Sequence, residues 1–375
     1  MPLDPFFSER LRVHRRYLIG QRIDAFRRRW AEFLARLRPA PRAEPVTPEP
    51  AKPGGTKKGA ASGPARARAR HRRAALAWDR KELETVGTPG PDVRTVEHTV
   101  PVPGRPRARV RIYYPQPADA EPDAAAHLIP AWLAFFGGAF RIGGIDYPTT
   151  DAANRRRAAE ANVAVVAVEY ALAPEHRFPT QIEQAEAALV WLHENAPELG
   201  IDRERLGVMG TSAGASIAAA LTLVNRDRLH IPLRLQLLEV PVVDLTGRHI
   251  DFRATRSMGV PSVIAVRELR SVANTYLPER SDARNPLASP LLAPSHAGLP
   301  EAVIFTAEFD PLRGDGAAYA ARLRAAGVEA SGVQYLGVTH DVSIFTGVLP
   351  AARRWHRDVI ATLARLHEPP ATTAS

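Results

Sequence analysis

Short apolar stretches alternate with helical ones from about Leu76 onward, and this alternation restricts the fold more than any single motif. Leu128 to Phe136, Val163 to Glu169, Leu206 to Met209, Leu235 to Val243, Ala302 to Glu308 and Ser331 to Leu336 read as strands. Asp151 to Asn162, Thr180 to Asn195, the segment starting at Ala215, Gly316 to Ala326 and Ala351 to Leu366 read as helices. A strand that is apolar along its whole length has both faces buried, so the pattern predicts a mostly parallel sheet with helices on both faces. Ahead of it, Thr95 to Pro103 and Arg107 to Tyr114, separated by Gly104, read as an antiparallel hairpin. Ligands of such sheets bind at the carboxyl ends of the strands, and the search for chemistry starts there.

One strand end stands out. Gly210-Thr211-Ser212-Ala213-Gly214 lies between the apolar run Leu206 to Met209 and the helix former Ala215-Ser-Ile-Ala-Ala-Ala-Leu221. A serine on a tight strand-to-helix turn holds its Oγ clear of the backbone, and the helix behind it aims N–H groups at any oxyanion formed there. A nucleophile elbow is therefore favoured over a plain glycine-rich loop. A serine hydroxyl needs a base, and the base needs an orienting acid. Among the later histidines only His340 occupies a short loop between a strand and the last helix. His356 and His367 belong to that helix, and His230, His249 and His296 precede the best acid. Asp310 and Asp244 both follow apolar strands. Asp310 is favoured because one helix and one strand separate it from His340, with Asp244 the alternative from a strand further away. Asp315 and Asp341 read as a helix-start carboxylate and a loop acceptor.

Oxyanion donors are expected from the Ala213 amide and from Phe136-Gly137-Gly138-Ala139-Phe140, directly after the first core strand. The rival reading of that loop as a phosphate cradle lacks a Walker lysine and the Gly-x-Gly-x-x-Gly spacing. His193, His230 and His249 show no metal-ligand spacing. No cofactor and no metal are expected.

Charge needs to be located before it is interpreted. The 375-residue chain carries a net +10, yet 19 Lys and Arg against 6 Asp and Glu fall in the first 75 residues. The remainder holds 31 basic and 34 acidic residues, so the body of the protein is not a nucleic-acid binder. Ser8 to Leu18 and Arg22 to Leu37 read as helices, the second amphipathic through Ile23, Phe26, Trp30, Phe33 and Leu37. Packing on its own protein is favoured over contact of this basic segment with an anionic membrane. Residues 39–74, rich in Pro, Ala, Gly, Lys and Arg, read as a disordered basic linker, and 368–375 as a disordered tail. The absence of cysteine excludes disulfides and thiolate chemistry and, with no secretory signal apparent, leads to the expectation of a cytoplasmic protein.

With these residues in place the chain resembles the hormone-sensitive lipase-like branch of the α/β-hydrolases, the bacterial family IV esterases, from about Thr95 to Leu366. Phe136-Gly-Gly-Ala-Phe140 stands where that family has HGGGF, and Glu169-Tyr-Ala-Leu-Ala-Pro-Glu-His-Arg-Phe-Pro179 where it has YRLAPEHPFP. Gly210-Thr-Ser-Ala-Gly214, Asn285-Pro-Leu-Ala-Ser-Pro-Leu-Leu292, Ala307-Glu-Phe-Asp-Pro-Leu-Arg313 and Gly337-Val-Thr-His340 complete the set. The resemblance implies a Ser212–Asp310–His340 triad, an oxyanion hole from Gly138, Ala139 and Ala213 beside Gly137, and no cofactor. It implies a helical cap made of residues 1–38 and an insertion around 248–284 on an α/β-hydrolase domain spanning 75–367. Glu175 and His176 are then structural, pinning a loop near the site. The expected partner is a small ester of short or medium acyl length, and the expected assembly a monomer or homodimer. Two departures, Phe136 for the family's histidine and Ala139 for its third glycine, keep a non-catalytic small-molecule receptor on the same fold in view, as well as an amidase or deacetylase.

Overall fold

The computed structural model describes residues 2–13, 63–119 and 128–369. The amphipathic segment Arg22 to Leu37 and the larger part of the 39–74 linker lie outside them, as do residues 370–375. The chain divides into two compact units, one from Leu3 to His71 and one from Arg72 onward together with the first two residues. In the first, residues 5–13 form a helix (α1).

The linker expectation needs correction at its end. Helix α2 runs Gly63–Thr85, so residues 63–74 are helical and not disordered. A count of buriable residues missed this because Ala and Arg rank among the strongest helix formers, and because later turns of α2 are anchored. Arg72 donates from Nε to the Arg141 carbonyl and from Nη2 to that of Ala173, each at 3.0 Å, and its guanidinium meets Glu175 at 2.6 Å. Asp79 accepts from the Thr149 N–H at 3.0 Å and from its hydroxyl at 2.5 Å.

Eight strands form one sheet in the order β1-β2-β4-β3-β5-β6-β7-β8. They are β1 Val93–Val100, β2 Ala108–Pro117, β3 Ile129–Phe135, β4 Ala164–Glu169, β5 Ile201–Thr211, β6 Leu233–Glu239, β7 Glu301–Phe309 and β8 Ala330–Thr339. The expected hairpin is β1–β2, which is antiparallel, as is β2–β4; all other pairs are parallel. In β4, Ala164 through Val168 are all buried, both the residues pointing up and those pointing down, so the sheet is covered on both faces. Five long helices follow the sheet strands: α3 Pro148–Ala161, α4 Thr180–Asn195, α5 Ala213–Val224, α8 Arg313–Ala325 and α9 Pro350–Ala364. All twelve residues of α5 are buried, which suits its alanine-rich, apolar circumference. Between β6 and β7 the chain adds α6 Phe252–Ser257 and α7 Ser262–Tyr276, which pack on each other.

Strand β3 lies between β4 and β5, so the connection leaving β3 runs toward β4 while the one leaving its neighbour β5 runs the other way, toward β6. The crevice this opens at its carboxyl end is where open parallel sheets bind ligands. The loop 136–140 leaves β3 there, and Ser212 leaves β5 next to it.

Candidate active site

Ser212 has φ +54° and ψ −114°, a left-handed backbone position that L-residues adopt at a cost of order 1–3 kcal/mol. The two flanking glycines explain how the turn closes. A Cβ on Gly210 would lie 2.3 Å from the Gly214 carbonyl, and one on Gly214 would lie 2.1 Å from the Phe135 carbonyl oxygen. Both contacts are shorter than atoms tolerate, so the motif's glycines are required by contact between β3, β5 and α5. The Ser212 N–H donates to the Glu239 carbonyl at 2.8 Å, fixing the elbow to the end of β6.

The structure brings Ser212, His340 and Asp310 together. His340 Nε2 is 3.0 Å from Ser212 Oγ, and its Nδ1 is 2.7 Å from Asp310 Oδ2. A carboxylate only accepts, so Nδ1 carries a proton, and in the neutral ring Nε2 presents its lone pair to the serine hydroxyl. Asp310 is almost fully buried, and its Oδ1 accepts from the Leu312 N–H at 2.9 Å. Burial alone would lower the His340 pKa, but the Asp310 charge and hydrogen bond outweigh it and raise it to about 9. The arrangement suits the transfer of a proton from serine to imidazole with the resulting cation stabilised from behind.

Asp244 does not enter this group. Its Oδ2 holds His249 Nδ1 at 2.9 Å and its Oδ1 accepts from the Thr246 N–H at 2.9 Å. Asp315 starts α8 and accepts the N–H groups of Val243 and Asp244, at 2.9 and 3.0 Å.

The loop after β3 brings Gly137, Gly138 and Ala139 to the wall of the same cavity as Ser212 and His340. A Cβ on Gly137 would sit 3.6 Å from that of Ser212. Gly138 (φ +135°) has no room for a side chain, since a Cβ would reach 2.0 Å from the Ile142 carbonyl. Ala139 and Phe140 hold φ of +53° and +59°. The Ala139 methyl is thus accepted in the left-handed region, at about 1–2 kcal/mol. The amides of Gly138, Ala139 and Ala213 donate to no other protein group among the described residues, which leaves them free for a ligand oxygen.

What holds this loop was not readable in the sequence. The Phe136 ring stacks on Tyr170 with centroids 4.1 Å apart, and the Tyr170 hydroxyl donates to the Phe136 carbonyl at 2.8 Å. Phe140 stacks on Tyr276 of α7 at 3.7 Å, and Arg141 donates to Ser271 on the same helix at 3.1 Å. Glu239 was also missed. This buried carboxylate accepts from Trp355 Nε1 at 2.6 Å, from the Thr211 hydroxyl at 3.2 Å and from Arg157. The only sequence signal was an acid closing an otherwise apolar strand.

The cavity these groups line measures about 380 Å³, within the range of small-molecule sites. Among the described residues no helix is long and apolar enough to cross a membrane.

The alpha/beta hydrolase fold family matches residues 132–344 of the chain. A carboxylesterase of Mycobacterium tuberculosis, NlhH, is 35% identical over 288 residues, covering 76% of this chain and 86% of its own. An ethyl acetate hydrolase of Pseudomonas putida is 37% identical over 246 residues, 65% of this chain and 71% of its own. Among solved structures, the thermostable carboxylesterase EstE1 from a metagenomic library superposes with a TM-score of 0.72 at 32% identity, covering 80% of this chain and 98% of that one.

Proposed function

The chain belongs to the hormone-sensitive lipase-like, family IV branch of the α/β-hydrolases, and from that premise we propose that it is a serine carboxylesterase acting on short- to medium-chain acyl esters. The observation that carries this reading is the continuous hydrogen-bonded line Asp310–His340–Ser212 opening on a cavity beside unengaged backbone amides. Relatives named carboxylesterase and ethyl acetate hydrolase support the reaction class.

Ser212 Oγ attacks the ester carbonyl carbon while its proton passes to His340 Nε2. The tetrahedral oxyanion rests on the amides of Gly138, Ala139 and Ala213, each donor typically worth on the order of 10²–10³ in turnover. Collapse breaks the bond to the alkoxy oxygen, which leaves with the proton from His340. Water then gives a proton to the same nitrogen, attacks the acyl carbon and releases the acid, restoring Ser212. Asp310 keeps the ring oriented and stabilises the imidazolium formed in each half. Helix α7, packed on the oxyanion loop through Tyr276 and Ser271, belongs in this reading to the cap over the acyl site.

Initial rates across 4-nitrophenyl esters of increasing acyl length, with Ser212→Ala as the blank, test the proposal. Rates that fall from short to long chains are expected; rates no higher than the blank at every length would refute it. Labelling of Ser212 by a fluorophosphonate, absent in Ser212→Ala, separates an enzyme from a receptor on this fold.

A further inference from the structure

The cavity that opens on Ser212 also contains a buried cation whose binding edge is unused. Arg156, on α3, is 8% exposed and lines the same cavity as Ser212 and His340. Its Nη1 donates to the Thr88 carbonyl and, at 3.4 Å, to the Thr346 hydroxyl. Its Nε–H is buried with no partner, and Nη2 makes no hydrogen bond among the described residues. Nε and Nη2 are the two parallel donors of one side of the guanidinium, the fork that takes a carboxylate with two bonds.

No neighbouring acid occupies that fork. Glu239 has both oxygens committed to Arg157, Thr211 and Trp355, Asp79 has both committed to Thr149, and Glu160 meets His356 Nε2 at 3.0 Å. Burial, with Arg157 beside it, pulls the Arg156 pKa below that of an ordinary guanidinium despite the Glu160 charge nearby. Buried polar groups of this kind are usually paired.

We propose that Arg156 forms a carboxylate subsite of the ester cavity, and that the preferred substrates are esters carrying a second, ionised carboxyl group remote from the scissile bond. This rests on the esterase reading above. A carboxylate is planar, accepts with both oxygens and is ionised at neutral pH, which matches the two unpaired donors of the guanidinium. An apolar acyl chain of the same length would leave both donors unpaired. The charged group can belong to the acid half of the ester or to the alcohol half.

The test compares kcat/KM for mono-4-nitrophenyl adipate with that for 4-nitrophenyl hexanoate, which has the same chain without the charge. Adipate is chosen because shorter hemiesters cleave themselves through cyclic anhydrides. A second pair, 4-carboxyphenyl hexanoate against phenyl hexanoate, places the charge on the alcohol side and shows which half reaches Arg156. The wild-type enzyme is expected to favour the charged member of one pair. In Arg156→Met that charged-to-neutral ratio is expected to fall roughly 30-fold or more, through KM, as for loss of one partner of a buried charge pair. Arg156→Lys keeps the charge without the fork and is expected to fall between them. Because Arg156 also ties Thr88 to Thr346, the wild-type enzyme provides a reading that needs no variant. The monoamide of adipate is expected to compete against the neutral ester more strongly than hexanamide, which has the same chain without the charge. Equal competition, or no preference for the charged member of either pair, would overturn the subsite while leaving the esterase reading intact. Turnover of neither neutral ester above Ser212→Ala would instead overturn the esterase reading, and the subsite with it.

Discussion

Asp310, after β7, and Asp244, after β6, are built alike. Both carboxylates are buried, each uses Oδ1 to accept from the N–H two residues on, and each uses Oδ2 to hold a histidine Nδ1. They differ in where the histidine comes from. His249 lies 5 residues beyond Asp244, in the same loop, whereas His340 lies 30 residues beyond Asp310 and leaves the end of β8. Only His340 reaches Ser212. An Asp–His pair is therefore a local device that a single loop can make, and the sheet topology decides which pair meets Ser212. The loops are also fastened together. Arg313 holds Asp251 at 2.7 Å, and the absent side chain of Gly314 lets the His249 carbonyl come within 2.0 Å of where a Cβ would be.

The sharpest way to break this comparison is to remove each histidine. His340→Ala is expected to lower kcat by about 10⁶. His249→Ala is expected to stay within about tenfold, or roughly 1.4 kcal/mol of barrier. Single-turnover and steady-state rates on one 4-nitrophenyl ester decide it, and losses of similar size would place both pairs in the chemistry. The acids give the next contrast. Asp310→Asn keeps the shape of the carboxyl but favours the wrong ring tautomer, and is expected to cost about 10⁴ in kcat. Asp244→Asn is expected to act on stability, by about 1–3 kcal/mol as bonds to Thr246 and His249 weaken, with kcat nearly unchanged. Denaturant midpoints measured beside the rates separate the two.

Much of this was legible beforehand, and the limit follows from what kind of force fixes each residue. Gly210, Gly214 and Gly138 are set by backbone contact, so nothing but glycine fits and the letters announce the turn. Asp310 and His340 could be ranked above their rivals because strand order limits what can meet at one end of the sheet. The anchors of the loop after β3 were hidden for the opposite reason. Tyr170 and Tyr276 act across 34 and more residues through stacking, a contact that any large aromatic residue elsewhere in the chain could have made. The helix at residues 63–74 was hidden because propensity and anchoring, not burial of an apolar face, hold it. Arg156 carried no signal in the sequence, because only the fold buries it.

A pH profile sharpens the contrast from the side of His340. Burial pulls its pKa down, but Asp310 wins and holds it at about 9. In the proposed mechanism the neutral ring is the base, so kcat/KM is expected to climb about tenfold per unit below pH 9 and level off above it, a total gain of roughly 100-fold from pH 7. Asp310→Asn removes the charge responsible, so what activity remains is expected to level off at lower pH. An unmoved profile would mean that the Asp310 charge does not act on the ring.

The smallest expected effect on turnover concerns the carboxyl that both pairs feel. Asp315 is pushed up to about 8, first by burial and then by the Asp244 and Asp310 charges, against the pull of the Val243 and Asp244 N–H groups. Its folded-state pKa is above the ordinary 3.8, so the folded protein binds this proton more tightly than the unfolded chain. The stability this adds is fully present below pH 3.8 and is lost as pH rises through about 8. Asp315→Asn cannot ionise, yet its oxygen still accepts both N–H groups. The stability of the wild type relative to this variant is therefore expected to fall by up to about 1.4 kcal/mol per pH unit between pH 5 and 8, then to stay constant. Urea midpoints of the two proteins across that range measure it, and parallel curves would refute it. The comparison reappears in the break point. Asp244 raises the Asp315 pKa more than Asp310 does, so Asp244→Asn should move the break to lower pH by more than Asp310→Asn. The pair that leaves the chemistry untouched would then be the one that sets how the fold answers to alkali.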